Sequence, residues 1–215
     1  MNDGDLEPAL LARIEDAGLN ASAPPQQRWL DGWLLRYSPG KAKRSRCVNA
    51  ITQGQRPVEQ KLDECAKVFA AAGLPLIFRI TPFTLPATLD ASLATHGLER
   101  FDDTRVMVLD DFSAIESPML PPDCSIREIA LEPFAQRVGA LRGSPLSQRQ
   151  AHAQRLANAP VPFTAFELRE RDEVIACGQF AIEADLVGLY DIFTAESARG
   201  QGLARRLCSR LLLDA

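Results

Sequence analysis

The stretch that most constrains the fold is residues 186–213, an apolar run followed by a short glycine-containing turn and an amphipathic segment. Residues 186–194 are mostly apolar, with β-branched and aromatic side chains, which is typical of a buried strand. From Leu203 onward, apolar residues recur at helical spacing. The sequence therefore predicts a strand, a turn over residues 195–201 and a helix in direct succession.

This succession can hold an anion at the turn. The first backbone N–H groups of a helix have no internal acceptor, and the helix dipole adds positive charge at the same end. Gly200 and Gly202 allow a ligand to approach the backbone closely because neither has a Cβ atom, and Arg199 adds a fixed positive charge. The turn is therefore expected to bind a phosphate group.

The residue pattern of the turn indicates the kind of phosphate ligand. It does not complete G-x-G-x-x-G, because Arg205 holds the last position, and it lacks the Lys-Ser/Thr of a P-loop. It does fit R/Q-x-x-G-x-G/A, and with its flanking strand and helix it resembles the acyl-CoA-binding motif of the GNAT superfamily of N-acetyltransferases. The alternative is an ordinary β–α turn that contains two glycines.

The resemblance implies that acetyl-CoA is the co-substrate. The amides of the turn would hold the CoA pyrophosphate, and the end of the preceding strand would hydrogen-bond the pantetheine arm. The cofactor-binding residues implied in this way are Phe193, Thr194, Arg199, Gly200, Gln201, Gly202, Leu203 and Ala204.

The order of the predicted elements indicates two lobes. Residues 123–215 resemble the front part of a GNAT domain, in the order β-α-α-β-β-β-α, and residues 30–110 resemble its later half more loosely. The implied fold class is α/β with α+β layering, in which a mixed, mostly antiparallel sheet is flanked by helices in each lobe. The predicted domains are residues 1–115, a GNAT-like lobe with a degenerate cofactor site, and residues 123–215, the acyl-CoA-binding lobe.

Two features of this comparison depart from the family pattern. The N-terminal turn over residues 53–57 lacks the full glycine signature, and Pro57 removes an amide donor there. A complete GNAT domain also continues beyond the motif helix. We therefore expect the C-terminal lobe to be incomplete, by truncation of a longer protein; a neighbour supplied by the N-terminal lobe or a partner chain is the alternative.

Shorter patterns predict further elements. Gly178, within an otherwise apolar strand, indicates a bulge or a close backbone approach. The basic run over residues 41–46 is interpreted as a solvated hairpin tip after a turn at residues 38–40. In the N-terminal half, helices are predicted over residues 5–17, 57–72 and 86–96, and strands over residues 29–37, 45–52, 74–80 and 104–109.

Acetyl transfer needs a positioned thioester, a polarised carbonyl and a neutral amine. Asp191 and Tyr190, on the motif strand, are the candidate acid–base residues, and alternation places Asp191 on the opposite face from Tyr190, Ile192 and Thr194. Glu167 and Glu183 are further acidic candidates.

Three other residues are weaker candidates for chemistry. His152 is one of only two histidines, but a lone histidine on a helix is more often structural. Cys177 and Cys208 could form an acyl-enzyme, yet no histidine lies at a recognisable spacing, so direct transfer is favoured.

The composition limits partners and compartment. The net charge of −4 offers no general attraction to nucleic acid or an anionic membrane, and mildly favours a basic substrate. The five cysteines are scattered and the histidines few, which predicts no metal site and a reducing compartment. No apolar run could span a bilayer and no signal peptide is recognised, so we expect a cytoplasmic protein.

The function expected from these observations is acetyl-CoA-dependent N-acetylation of a small-molecule or protein amine, with a homodimer left open. A non-catalytic acyl-CoA-binding or regulatory module is the main alternative. An interaction domain in which the glycine turn is incidental is a third.

Overall fold

The computed structural model describes residues 7–38 and 42–215. The chain forms two compact units, one of residues 7–21 together with 109–215 and the other of Ser22–Val108. The start of the helix predicted over residues 5–17 lies outside the described residues, as do residues 39–41 of the predicted turn and basic run.

The first helix, α1 (Pro8–Ala21), belongs to the unit that contains the C-terminal half of the chain. Arg13 forms an ion pair with Asp185, and Asn20 Nδ2 donates a hydrogen bond to Glu183 Oε1 at 2.8 Å. The sequence predicts this helix in the N-terminal lobe instead, because the sequence shows only where the helix lies along the chain and not which elements it packs against.

The unit of Ser22–Val108 is built on a four-stranded sheet. Its strands, in spatial order, are β1 (Gln27–Leu30), β2 (Trp33–Arg36), β3 (Val48–Ala50) and β4 (Phe78–Arg79). The first three are antiparallel neighbours, whereas β4 runs parallel to β3. A 3₁₀ turn covers Lys43–Ser45, and the helices are α2 (Val58–Ala71) and α3 (Leu89–Thr95).

A hairpin replaces the single strand predicted over residues 29–37. Asp31 and Gly32 have φ angles of +43° and +84° and join β1 to β2, with Leu30 opposite Trp33. Asp-Gly favours such a two-residue turn because both central positions need a positive φ. The prediction was wrong because the apolar residues before and after the Asp31-Gly32 turn together have the pattern of one continuous strand.

The strand predicted over residues 104–109 is also wrong. These residues form neither helix nor strand, and Val106 and Met107 are 51% and 92% exposed. Alternating apolar residues form a strand only beside an edge that accepts their backbone hydrogen bonds. Within the described ranges, neither sheet includes residues of this segment. The strand predicted over residues 74–80 is reduced to β4, Phe78–Arg79.

The other unit contains a second four-stranded sheet, which is entirely antiparallel and follows the chain order. Its elements are β5 (Cys124–Ile129), α4 (Leu131–Leu141), α5 (Leu146–Ala157), β6 (Phe163–Glu170), β7 (Glu173–Glu183), β8 (Leu186–Thr194) and α6 (Leu203–Asp214). The predicted order β-α-α-β-β-β-α and the predicted fold class, mostly antiparallel sheets flanked by helices, are confirmed.

Helices cover both faces of this second sheet. Ala176 and Cys177, which are consecutive on β7, point into different apolar clusters, as strand alternation requires. The cluster on one face contains Leu203, Leu207 and Leu211 of α6. The other face is covered by α4 and α5. None of the helices in the described parts of the chain is long and apolar enough to cross a membrane.

Candidate functional site

The predicted strand, turn and helix are present. The strand β8 ends at Thr194, a 3₁₀ turn covers Glu196–Ala198, and α6 begins at Leu203. Gly200 and Gly202 have φ angles of +78° and +71°, which residues with a Cβ rarely adopt. Gly202 is the N-cap of α6 and supplies no side-chain cap. The N–H groups of the first helical turn therefore lack an internal acceptor and face the loop.

Two guanidinium groups lie at this turn. Arg199 Nε donates to Thr194 O at 3.3 Å, and its guanidinium lies 5.6 Å from the centre of the Phe193 ring. Arg206 Nη1 donates to Gln201 O at 2.7 Å, which braces the loop. The positive end of the helix dipole and the two arginines make the turn electropositive, which suits a phosphate.

A β-bulge interrupts the pairing of β7 with β8. Asp191 and Ile192 of β8 together oppose the single residue Gly178 of β7, so the bulge predicted at Gly178 is confirmed. A Cβ atom on Gly178 would lie 2.6 Å from Ile192 Cδ1 and 3.2 Å from a Leu207 methyl carbon. Glycine is therefore required because Ile192 crosses over it toward α6.

The bulge also changes the face on which Asp191 lies. Alternation predicts Asp191 opposite Tyr190, but Asp191 accepts a hydrogen bond from Gln179, the residue paired with Tyr190. Both side chains thus share the face covered by α4 and α5, so the predicted opposition of Asp191 and Tyr190 is wrong, whereas Ile192 lies on the other face as predicted, beside α6. The physical reason is the bulge. Asp191, with a φ of +53°, is one of two residues of β8 opposite a single residue of β7, and the extra residue shifts the alternation of side chains between the two faces.

Three donors surround the Asp191 carboxylate. Arg142 Nη1 donates to Oδ1 at 2.8 Å, Gln179 Nε2 donates to Oδ2 at 2.8 Å, and His152 Nε2 lies 3.2 Å from Oδ2. Burial by itself would raise the pKa of Asp191. The hydrogen bonds from His152 and Arg142 and the charge of Arg142 outweigh it and hold the pKa well below its usual range.

The sequence alone does not reveal this network. Arg142 is 49 residues from Asp191 and Gln179 is 12 residues from it, and no motif spacing links them. His152 stands in the sequence only as an isolated helical histidine. The one available signal is Gly178, since a bulge often redirects a side chain.

Tyr190 packs beside the network on the same face. Its ring meets the Phe163 ring edge to face, with centroids 5.6 Å apart. Its hydroxyl lies over Gly188, where an added Cβ would be only 2.4 Å away. Tyr190 therefore remains a candidate acid–base residue on the α4/α5 face.

The acidic candidate Glu167 is fully buried beneath three arginines. Its Oε1 accepts from Arg127 Nε at 2.6 Å and Arg169 Nη1 at 3.3 Å, and its Oε2 accepts from Arg137. Burial would raise the pKa of Glu167, but the hydrogen bond from Arg127 and the charges of Arg137 and Arg127 lower it. A carboxylate held in this way stabilises the fold and is a poor proton acceptor.

The other candidates occupy peripheral or inert positions. Glu183 accepts a hydrogen bond from Asn20 at the start of the β7–β8 turn. Burial raises the pKa of the Cys177 thiol to about 12, with a further contribution from Glu167, and burial also raises the pKa of Cys208. Neither thiol is thus disposed to form the thiolate that an acyl-enzyme needs.

The corresponding turn in the Ser22–Val108 unit already holds a carboxylate. Asp31 accepts hydrogen bonds from the backbone N–H groups of Gln55, at 3.0 Å, and Arg56, at 2.8 Å. Lys61, whose side chain is fully buried, donates to Gln53 O at 2.6 Å and lies 3.5 Å from Asp31 Oδ2. The amides that could meet a phosphate are therefore occupied by the protein itself.

We expect Gly54→Ala to destabilise this turn strongly. Gly54 has a φ of +71°, and a Cβ there would lie 2.1 Å from Asp31 O. Strain and overlap together should lower the free energy of unfolding by about 2–4 kcal/mol in urea denaturation. The matched control is Gly73→Ala, where φ is +66° but nothing lies within 4 Å, and where about 1 kcal/mol is expected. Equal losses would contradict this account.

No metal centre accompanies these sites in the described part of the chain. Within residues 7–38 and 42–215, no three His, Cys, Asp or Glu side chains are grouped so that they could hold a metal ion. The candidate site therefore consists of the electropositive turn before α6 and the Asp191 network at the bulge of β8.

Comparison with solved structures supports the architecture. The GCN5-related N-acetyltransferase from Kribbella flavida matches with a TM-score of 0.60 over 96% of this chain and 80% of its own, at 16% identity. An acetyltransferase from Thermus thermophilus matches 43% of this chain and 69% of its own at 21% identity, with a TM-score of 0.34. At 16% identity the likeness to the Kribbella flavida protein concerns the fold alone, and the second match is too weak in TM-score to add to it.

The family comparison covers nearly the whole chain. No curated protein matches the sequence. The model of the family described as probable histone acetyltransferase Rv0428c, C-terminal, matches residues 11–214. The chain belongs to this family and, through it, to the GNAT superfamily of acetyltransferases.

Proposed function

We propose that this protein is an acetyl-CoA-dependent N-acetyltransferase that moves the acetyl group directly to a primary amine. The observation that carries the proposal is the turn before α6, where Gly200 and Gly202 adopt positive φ and the first helical amides have no side-chain cap from Gly202. Such amides, together with Arg199, suit the pyrophosphate of CoA. Residues Phe193 to Ala204 would form the cofactor-binding segment.

The proposal assigns one cofactor site to each chain. The turn of the Ser22–Val108 unit holds the Asp31 carboxylate on the Gln55 and Arg56 amides. A second anion there would have to displace that carboxylate and meet its charge. This supports the interpretation of the N-terminal lobe as a degenerate copy of the cofactor site.

The acceptor is proposed only as a class. The net charge of −4 favours a cationic amine, and the description of the family names a histone acetyltransferase, so protein lysines belong among the acceptors to be tested.

All five cysteines are free thiols, which supports a reducing compartment such as the cytoplasm.

An acceptor screen tests the proposal. The purified protein is incubated with acetyl-CoA and, separately, polyamines, amino acids, aminoglycosides and lysine-containing peptides. Release of the CoA thiol is measured, and the acetylated product is identified by mass. We expect amine-dependent thiol release. Binding of acetyl-CoA without release for any amine would favour the non-catalytic acyl-CoA-binding module.

A further inference from the structure

The Asp191 network has the composition of a proton-transfer site. Its carboxylate is 21% exposed at the side chain and the neighbouring His152 is 17% exposed, so both are shielded but reachable. The His152 ring meets Phe134 edge to face with centroids 6.3 Å apart, and Phe134 is fully buried. The imidazole is thus fixed on one side by packing and on another by a carboxylate.

Asp191 itself is poorly suited to accept a proton. Both of its oxygens already accept hydrogen bonds, from Arg142 on Oδ1 and from Gln179 and His152 on Oδ2. Burial by itself would raise the pKa of Asp191, but the hydrogen bonds from His152 and Arg142 and the charge of Arg142 outweigh it and hold the pKa well below its usual range. Protonation would break contacts that the fold has arranged for the anion.

The same contacts define the tautomer and the orientation of the His152 ring. Because the Asp191 carboxylate is an acceptor, it orients His152 with a proton on Nε2. The other ring nitrogen, Nδ1, then carries a lone pair and can accept a proton. A carboxylate that fixes the tautomer and orientation of an imidazole in this way makes it an effective base.

The network also lies close to the end of β8, which is proposed to hydrogen-bond the pantetheine arm. Asp191 is three residues before Thr194 on β8, which corresponds to about 10 Å of strand. Between them, the Phe193 ring lies 5.4 Å from the Arg142 guanidinium and 5.6 Å from that of Arg199. One aromatic ring therefore contacts both the network and the cofactor turn.

From this geometry we infer that His152 is the base that deprotonates the acceptor amine, and that Asp191 is its positioning residue. The inference rests on the proposed function. As the amine nitrogen attacks the thioester carbonyl, its proton passes to His152 Nδ1, the N–C bond forms and the C–S bond breaks. The proton then passes to the departing CoA thiolate, which leaves as the thiol.

The charged and titratable groups around the pair come from three elements. Arg142 ends α4, Arg155 lies on α5 and acts electrostatically on Asp191, and Tyr190 precedes Asp191 on β8. Arginine and tyrosine do not titrate near neutral pH in the ordinary case. Comparison of the pH profiles of the His152 and Asp191 variants with that of the wild type therefore separates this pair from its neighbours.

The test is the pH profile of acetyl transfer by the full chain, measured with the best amine from the acceptor screen. We expect His152→Asn to lower kcat by about 100-fold or more and to change the pH profile of kcat. The affinity for acetyl-CoA should stay within about threefold of wild type, which also shows that the variant folds. Added imidazole should restore part of the rate of His152→Ala.

Two further variants complete the design. Asp191→Asn should lower kcat by about 10-fold to 100-fold and change the pH profile of kcat, without changing the KM for acetyl-CoA, as expected for a positioning residue. The matched control is His96→Asn, because His96 is the other histidine and is exposed. It should behave as wild type.

The outcomes separate this inference from the proposed function. If His152→Asn keeps the wild-type rate and pH profile, the inference is overturned while acetyl transfer stands. If the wild-type protein binds acetyl-CoA but acetylates no amine, the proposed function and this inference both fail.

Discussion

Gly202→Asp should weaken acetyl-CoA binding by at least about 30-fold. Gly202 is the N-cap of α6 with a φ of +71°, and aspartate tolerates both that φ and that position, so the fold should survive. The new carboxylate would lie where the pyrophosphate is proposed to bind. Two unit charges about 5 Å apart repel by about 3 kcal/mol at an effective dielectric of about 20, and solvent exposure reduces this somewhat. Calorimetric titration measures the effect.

Gly202→Asn is the matched control for this variant. Asparagine has nearly the same shape as aspartate and the same tolerance of positive φ, but it carries no charge. A Cβ at this position would lie 3.4 Å from Arg206 Nη1, an ordinary contact, so either variant adds little overlap with the protein. We expect Gly202→Asn to bind much more tightly than Gly202→Asp. Equal affinities in the two variants would show that charge at this turn is irrelevant to binding.

Glu167→Ala should destabilise the protein by about 3 kcal/mol. The glutamate is fully buried, and its removal leaves Arg127, Arg137 and Arg169 without their shared partner. Breaking a buried ion pair costs about 3–5 kcal/mol, and the lower end is expected because the side chains of Arg127 and Arg137 are 55% and 34% exposed and can be rehydrated. Urea denaturation at neutral pH provides the measurement.

The pH dependence of the same variant separates charge from packing. The pKa of Glu167 is lowered in the folded state, so its contribution is present above the unfolded pKa of about 4.3 and is lost as the pH falls through the folded pKa. The stability gap between wild type and Glu167→Ala should therefore shrink as the pH is lowered below about 4. Glu170→Ala, an exposed glutamate on the same strand, should cost less than about 0.5 kcal/mol. A gap that is constant with pH would contradict the electrostatic account.

The elements that were predictable from the sequence are those whose signals are local. The run from β8 to α6 carries its strand pattern, its glycines and its helical spacing within 28 consecutive residues, 186–213, and the structure contains each element. Gly178 also carried a local signal, because a glycine within an apolar strand has few roles other than a bulge or a close approach. The structure has the bulge at this glycine, with two residues of β8 opposite it.

The Asp191 network, in contrast, depends on contacts between residues far apart in the chain, which no local pattern encodes. The φ of +53° at Asp191 moved its side chain to the face of Gln179, and this follows from the register of two strands rather than from composition. Arg142 and His152 reach Asp191 from separate helices. Their roles could not be predicted without knowledge of how α4 and α5 pack on the sheet.

The misread strands have the same origin. At Asp31 and Gly32 a turn signal was present, but the apolar residues around it gave the stronger pattern. In residues 104–109 the alternation was real, but strand formation depends on a partner edge elsewhere in the chain. In both cases the pattern of side chains was correct and the pairing of the backbone decided the structure.

The central claim is that the turn from Arg199 to Ala204 holds the pyrophosphate of acetyl-CoA. The most direct test is calorimetric titration of the purified protein with acetyl-CoA, and in parallel with pantetheine, which lacks the pyrophosphate. We predict saturable binding of acetyl-CoA with one site per chain, and binding of pantetheine that is weaker by at least about 100-fold. Equal affinity for the two ligands, or no binding of acetyl-CoA by the folded protein, would contradict the claim.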